Sequence, residues 1–367
     1  MEPVRLIHTA PELPPTIGGV ADYTALLSCR LVEVSDGIVE PVMVHAGNRP
    51  TESIDVDFPT ENLSGRCSAS ALAESFSRFV EESERTAVLL EYSGYGYDKN
   101  GAPQWLADGI EQFCHVSGTP LITVFHELYT SEYRPWKRNF WVIPWQHYVV
   151  CQLARLSSGI ISNRDDMAQW LHRRVDGTPV RMCPSFSNVG EPDELPPYED
   201  REPFVAHFGG ETKKAQLYAE YGSALGPLLQ RADVNRIIDI GPPVPEKLRS
   251  RVGIPVESKG ILSPKEVSRY LRRASLGLLN YPLHCLKKSG IWASYAAHGV
   301  PTLLAAKLMG IEGLDRGRHF LLLNEEMSVP KTERRAEISQ HVYRWYRMSA
   351  HSQRTAQHIG AFISDGL

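Results

Sequence analysis

"KKSGIWASYAAHGVPTLL", residues 287–304, decides how the chain is read. Lys287, Lys288, Ser289 and Gly290 form a polar loop that runs into a short apolar helix. Gly299 closes that helix and Pro301 leads into a buried strand, because glycine suits a helix end and proline cannot continue the helix. A loop that opens a helix in this way offers free N–H groups and the positive end of the helix dipole to an anion such as phosphate.

The same alternation runs outward in both directions. Upstream, "VRLIHTA" (4–10), "EPVMVHAG" (40–47), "TAVLLEYS" (86–93) and "PLITVFHELY" (120–129) read as strands. Between them "GGVADYTALLSCRLVE" (18–33), "SASALAESFSRFVEES" (68–83) and "QWLADGIEQFCHVSG" (104–118) read as helices, the last ending at Gly118. "SSGIISNRDDMAQWLHRRV" (157–175) is a strand followed by a helix capped by Ser162 or Asn163, with Asp165 and Asp166 in its first turn. "PSFSNVGEPDELPPYEDREP" (184–203), rich in Pro, Glu and Asp, reads as an interdomain linker. Beyond it come strands at 204–210, 235–241, 276–281 and 319–324, helices around 213–230 and 264–273, and a long terminal helix over about 331–363. Strands alternating with helices predict parallel sheets covered on both faces, one in each half of the chain.

Size and charge narrow the classes. With 367 residues the chain exceeds one ordinary core and fits two domains. A net charge of −4 gives no basic excess for general nucleic-acid binding. Cys29, Cys67, Cys114, Cys151, Cys183 and Cys285 include no CxxC pair, which suits reduced thiols in the cytoplasm. The first residues lack a charged-then-apolar signal pattern, and no apolar run approaches a membrane span.

Several stretches can carry chemistry. Gly18 and Gly19 in "TIGGVADYTALL" (16–27) sit at a strand-to-helix turn where backbone approaches a bound group; the GxGxxG fingerprint is absent. His126 and Glu127 in "TVFHELY" (123–129) fall at a strand's carboxyl end, where a His beside a carboxylate can orient a group or move a proton. In "FGGETKKAQ" (208–216), Gly209 and Gly210 permit close approach, and Lys213 or Lys214 can neutralise a diphosphate. "DIGPP" (239–243), with Gly241, and "SKGILSPKEVSRYL" (258–271), with Ile261, are strand–loop edges suited to holding a base and ribose by backbone; Ser263, Pro264 and Glu266 read as a helix cap. Tyr92, Tyr95 and Tyr97 in "EYSGYGYDKNGAPQW" (91–105) offer flat faces to sugar rings. "RPWKRNFWVIPWQHY" (134–148) gathers three tryptophans with three cations and reads as a packed helix pair broken at Pro144, with an acceptor wall or a membrane-surface patch as the other readings. "DVD" (55–57) reads as surface, and no metal is assigned.

The order of these pieces resembles the GT-B glycosyltransferases, and most closely the family 4 group. "GGVADYTALL" resembles that family's N-terminal glycine loop, "FHELY" its His-bearing strand end, "SGIISNRDDMAQWL" the segment before its interdomain crossing, and "GIWASYAAHGVPTLL" its donor-binding helix with the closing GxP. The resemblance implies two facing Rossmann-like doubly wound parallel-sheet domains: an acceptor-side domain at 1–190, a donor domain at 191–340, and a helix at 341–367 that crosses back. It implies a retaining, metal-independent transfer from a UDP- or GDP-linked sugar to a glycan, lipid-linked or small-molecule acceptor, with no further cofactor. The charge, the cysteines and the tryptophan stretch add the expectations of no nucleic-acid partner, a cytoplasmic location and peripheral contact with a membrane. Gly18 and Gly19 then approach the donor phosphates, His126 lies near the reacting sugar, Lys213 or Lys214 stands for the family's basic residues, and Lys288, Ser289, Gly290 and Ile291 meet the phosphates and sugar. The family's paired glutamates fall near Leu286 and Ser294, neither acidic, so carboxylate recognition of hydroxyls shifts to Glu127, Glu211 or Asp239. A GT-B scaffold that binds nucleotide sugars or a partner without transfer is the second reading, and a sugar-nucleotide epimerase the third.

Overall fold

Seven parallel strands build the first sheet, in the order β3-β2-β1-β4-β5-β6-β7. The computed structural model describes residues 2–16, 18–51, 53–81, 83, 85–130, 136, 138–307, 309–323 and 328–367. The first unit holds Met1–Cys183 and Ser352–Leu367. Its strands are β1 (Val4–Ala10), β2 (Val39–His45), β3 (Thr60–Asn62), β4 (Thr86–Tyr92), β5 (Leu121–Phe125), β6 (Ser157–Ser162) and β7 (Val180–Met182). Its helices are α1 (Gly19–Val34), α2 (Ala69–Glu81), α3 (Gly94–Tyr97), α4 (Gln104–Ser117), α5 (Arg138–Leu156) and α6 (Asp165–His172). β4 is buried at every position, the pattern of a strand covered on both faces. Phe76 of α2 meets Phe113 of α4 edge-on at 5.2 Å inside that core. Gly118 ends α4 in the left-handed conformation, φ 69°.

The second unit, Pro184–His351, repeats the plan with six parallel strands in the order β10-β9-β8-β11-β12-β13. These are β8 (Glu202–Phe208), β9 (Arg236–Ile240), β10 (Val256–Gly260), β11 (Ala274–Leu279), β12 (Thr302–Leu304) and β13 (Leu321–Leu322). The helices are α7 (Glu211–Gln230), α8 (Glu246–Arg249), α9 (Pro264–Arg273), α10 (Gly290–Ala297) and α11 (Thr332–Trp345). Ser263 and Glu266 form the expected capping box at α9, with Pro264 at its first position. Val205, Ile237, Leu276, Leu278 and Leu303 meet Leu217, Leu225 and Leu229 of α7 in the core.

In both sheets the strand order reverses beside the first strand, between β1 and β4 and between β8 and β11. Crossovers leave that point in opposite directions, so the carboxyl ends of those strands are open to a ligand.

Five expectations are corrected. Residues 184–203 are not a linker between units but belong to the second unit: Ser185 donates its amide to the Lys287 carbonyl at 2.8 Å, Ser187 donates its amide to the Tyr346 hydroxyl at 2.8 Å, and Phe186 and Val189 are buried. The terminal helix is two helices. α11 runs into a π turn at Tyr346–Ala350, where Tyr346 is pinned by Ser187 and Glu191, and α12 (Ser352–Gly366) begins after the extended His351. The units divide at Cys183/Pro184 and His351/Ser352, against the expected 190 and 341. α6 starts from Arg164 with no side-chain cap: Ser162 ends β6, its carbonyl accepting from the Cys183 amide at 2.8 Å, and Arg164 pairs with Asp166. The strand expected at 319–324 shrinks to Leu321–Leu322, and Asn324 lies outside the described residues.

Candidate functional sites in the two units

In the first unit, a buried carboxylate ties two histidines together. Glu91 is the one charged residue in β4, next to last in the strand, and is fully buried. Its Oε2 lies 2.6 Å from Nε2 of His126, the residue just after β5, and its Oε1 lies 3.0 Å from Nε2 of His8 in β1. His8 Nδ1 continues the chain to Ser28 Oγ of α1 at 2.7 Å. Burial pushes the Glu91 carboxyl up, but the His126 and His8 contacts outweigh it and hold the group below the usual carboxylate value. Glu91 is therefore ionised, and each Nε2 carries a proton toward it. The His126 amide donates to the Tyr92 carbonyl at 3.0 Å, and Tyr23 of α1 packs edge-on to its ring at 5.0 Å. The imidazole is thus fixed in position and tautomer at the carboxyl edge of the sheet, one strand from the reversal point.

Glu127 is committed elsewhere. Its Oε1 accepts from the Ser93 hydroxyl at 3.0 Å and the Tyr95 amide at 3.3 Å, so it caps the start of α3. The tyrosine platform is also corrected. Tyr92 and Tyr97 are buried in the core, Tyr97 donating to the Glu91 carbonyl at 3.0 Å, and neither presents a ring face to a sugar. Tyr95 alone of the three is exposed, with its hydroxyl accepting from Gln146 Nε2 at 3.2 Å. Gly18 is the extended cap of α1 with no side-chain bond at that helix start; a Cβ there would come within 2.8 Å of Glu12 Oε2, while Gly19 faces open space. Asp55 and Asp57 are exposed, as their polar surroundings predict.

In the second unit, the loops after β8 and β9 meet the start of α10. Gly209 has φ 145° and Gly241 φ 106°, both in the region that favours glycine. A Cβ on Gly241 would run into the Gly209 carbonyl oxygen, and one on Gly209 would stand 2.9 Å from Ile291 Cδ1. Gly210 caps α7 without a side-chain bond and has open space around its Cα. The Gly241 amide donates to the Gly260 carbonyl at 2.8 Å, which brings exposed Ile261 to the same rim. Lys213 is exposed there, its carbonyl accepting from Asn280 Nδ2 at 3.3 Å just beyond β11.

Lys214 has a different fate. Its ammonium is buried against Asp239 of β9 and also donates to the Ile240 carbonyl at 3.1 Å. Burial raises the Asp239 carboxyl against the pull of Lys214. Lys213 is thus the lysine of the pair that can meet a ligand, and neither Lys214 nor Asp239 is turned outward. Glu211 is exposed in the first turn of α7. Beneath the rim, Tyr218 donates to Asp239 at 3.4 Å and packs edge-on against His207 at 4.8 Å. Burial, with Lys214 nearby, lowers the His207 pKa to about 3.

At α10, Ser289 is the N-cap: its Oγ accepts from the Trp292 amide at 3.1 Å, and its own amide donates to the Leu286 carbonyl at 3.0 Å. Its Oγ lone pair and its amide shape the start of the helix, while the hydroxyl proton is not used in that cap. Gly290 and Ile291 begin the helix, where amides have no acceptor within the helix itself. Lys288 is half-buried and its carbonyl accepts from the Ser185 hydroxyl at 3.0 Å. Leu286 is fully buried, and Ser294 donates its hydroxyl to the Gly290 carbonyl at 2.7 Å.

From Arg138 onward the tryptophan stretch is one helix. α5 passes through Pro144 without breaking, against the expected helix pair. Proline removes one donor from the ladder, and the helix continues past it. Arg134 and Lys137 lie outside the described residues. Among the described residues no helix is long and apolar enough to cross a membrane.

Glu91 and His8 escape a motif search because they sit inside strands. Their signal is an ionisable residue buried in a largely apolar strand, which requires a partner.

No protein-family model matches the sequence, and no curated protein sequence does. Solved structures do. A glycosyltransferase from Rickettsia africae superposes with a TM-score of 0.64 at 8% identity, over 100% of this chain and 99% of its own. HepE of Anabaena, solved in complex with UDP, gives 0.59 at 12% identity, over 99% of this chain and 100% of its own. An alpha-glucosyltransferase in complex with UDP gives 0.60 at 9% identity, over 98% and 99%. Identities this low report architecture, and with two all-parallel sheets in the observed strand orders they establish that this chain has the GT-B fold of two Rossmann-like units.

Proposed function

We propose that the protein is a glycosyltransferase that moves a sugar from a nucleoside-diphosphate donor, UDP- or GDP-linked, to a glycan, lipid-linked or small-molecule acceptor. The observation that carries the reading is the glycine-bearing rim of the second unit, where Gly209, Gly210 and Gly241 meet Ile291 at the start of α10. Backbone can approach a ligand closely there, and two helix starts and Lys213 supply the attraction for a diphosphate. Fold neighbours solved with UDP support the choice of ligand class.

In this reading Gly290 and Ile291 donate amides to the leaving diphosphate, Lys213 and Lys288 balance its charge, and Ile261 with the Gly241 edge borders the base and ribose. Gly18 and Gly19 contribute backbone at the start of α1. His126 faces the reacting sugar, and Glu91 is its positioning residue. The chemistry is transfer with retention of configuration and without an essential metal or further cofactor; its rate comes from orientation and from stabilising the departing charge.

Calorimetric titration with UDP- and GDP-sugars tests the reading: one donor binds, and Lys213→Ala weakens it several-fold. Absence of binding by any nucleoside-diphosphate sugar to the folded chain would overturn it. A second reading, a scaffold that binds the donor without transfer, is favoured by Leu286 and Ser294. These stand where the resembled family has glutamates, and Ser294 is engaged with Gly290. Binding without transfer or donor hydrolysis decides for the scaffold.

A further inference from the structure

The hydrogen-bond chain at His126 does not stop at Glu91. β4 lies between β1 and β5 in the first sheet, so a residue of β4 can be flanked from both sides. Glu91 is held in this way: Oε2 meets His126, and Oε1 meets Nε2 of His8 at 3.0 Å, with Glu91 and His8 both fully buried. The terminal torsion of a glutamate is broad and nearly two-fold, so a single hydrogen bond leaves a carboxylate free to turn. The second contact, from His8, fixes its plane. An ionised carboxylate only accepts, so the proton of each contact sits on Nε2.

Ser28 of α1 fixes His8 in turn. Its Oγ lies 2.7 Å from His8 Nδ1 and 3.3 Å from the thioether of Met43, the residue paired with His8 in β2. A thioether is a weak acceptor, so a neutral His8 takes the Ser28 hydroxyl proton at Nδ1. A charged His8 donates at Nδ1, and the hydroxyl then turns to Met43. In either state the ring is held at both nitrogens. Ser28 and Tyr23 lie on the buried face of α1, and Tyr23 packs edge-on to His126, so one helix braces both ends of the array. Among the described residues, Tyr23 and Tyr97 are the other ionisable groups set against Glu91. Burial pushes both phenols well above their usual value, so they stay protonated. With Nε2 of His126 committed to Glu91, Nδ1 is the nitrogen left for a substrate hydroxyl, and when the ring is neutral it accepts that hydrogen bond.

We propose that His8 is a positioning residue for the transfer: through Glu91 it fixes the direction and tautomer of the His126 imidazole, and Ser28 fixes His8. The inference rests on the reading that His126 faces the reacting sugar.

The native chain, isotope-labelled in its histidine rings, is read by proton–nitrogen correlation NMR, with His8→Phe and His126→Phe assigning the signals. A proton on Nε2 of both rings is expected. His8→Phe keeps a ring in place and removes the donor. It moves the His126 ring signals, lowers kcat about tenfold and shifts the pH profile of kcat, while the donor Kd from calorimetry stays within about twofold. His8→Gln, whose side-chain amide can donate to Glu91, restores most of kcat and the native His126 signals. Ser28→Ala moves the same readouts by less, and carries the test if His8→Phe does not fold. Three results would overturn the proposal: a His8 ring protonated at Nδ1 alone, His126 signals unmoved by His8→Phe, or a His8→Gln variant no better than His8→Phe. Equal loss of kcat and donor affinity also overturns it and assigns His8 to the fold alone. Failure of the transfer reading shows separately, as a native chain that binds no nucleoside-diphosphate sugar; the His126 signals then decide whether His8 holds the ring.

Discussion

Glu91 Oε2 lies 2.6 Å from His126 Nε2, Glu91 standing in β4 and His126 just past the end of its parallel neighbour β5, more than thirty positions apart in sequence. The carboxylate fixes which imidazole nitrogen carries the proton and where the ring points. Glu91→Gln keeps the shape and removes the charge. Under the proposed transfer it lowers kcat about 10²-fold, leaves donor KM nearly unchanged and shifts the pH profile of kcat. Equal loss in kcat and donor affinity, with an unmoved profile, would show that Glu91 serves the fold alone.

The same carboxylate sets an acid limit. Its folded pKa is depressed, so its stabilisation is complete above the ordinary carboxylate value of 4.5 and is lost as pH falls below it. His207 acts earlier. Its pKa falls from 6.5 to about 3 on folding, so the unfolded chain binds the proton first, and stability declines as pH drops below 6.5 toward 3. At pH 5 this amounts to about 2 kcal/mol. His298, buried between Ser294 and Ser268 and lowered to about 4, adds to the same slope. Melting temperatures recorded from pH 7 to pH 5 fall for the native chain and fall less for His207→Phe.

Lys213 and Lys214 are adjacent and separable. Lys214→Met strands Asp239 inside the second unit and costs about 3–5 kcal/mol in urea unfolding. The double variant Lys214→Met with Asp239→Leu recovers most of that loss, because no charge is then left buried alone. Lys213→Ala changes stability by less than about 0.5 kcal/mol and weakens donor binding.

Glycine at 241 is required twice, by its φ and by the Gly209 carbonyl beside it. Gly241→Ala destabilises the chain by about 1–3 kcal/mol, read from the thermal midpoint. Gly210→Ala, with extended backbone and open space, leaves the midpoint within about 1 °C, since it disturbs no packed group.

Much of the architecture is legible because period and punctuation survive in sequence. Buried parallel strands are continuous apolar runs, and Gly118 and the Ser263–Glu266 box mark helix ends where they stand. The glycines of the second-unit rim were legible for the same reason. What sequence hides is partnership. A lysine reads alike whether it meets solvent, as Lys213 does, or a buried aspartate, as Lys214 does. Tyr92, Tyr95 and Tyr97 share one short stretch, yet the end of β4 and the turn of α3 send two of them inward. The composition of 184–203 suggested a linker between domains, but its hydrogen-bond partners, Lys287 and Tyr346, lie over a hundred positions away.

The last sixteen residues form a wall of the first unit. α12 packs along α1: Ser352 accepts from Arg30 Nε at 2.8 Å, and Phe362 fills the space where a side chain on residue 159 would stand. A nascent chain that has delivered everything up to Cys183 has not yet received the material that closes its opening domain. The first unit is therefore completed only after the whole of the second has been synthesised, and a fragment cut at Cys183 leaves the apolar side of α1 and the Gly159 surface wet.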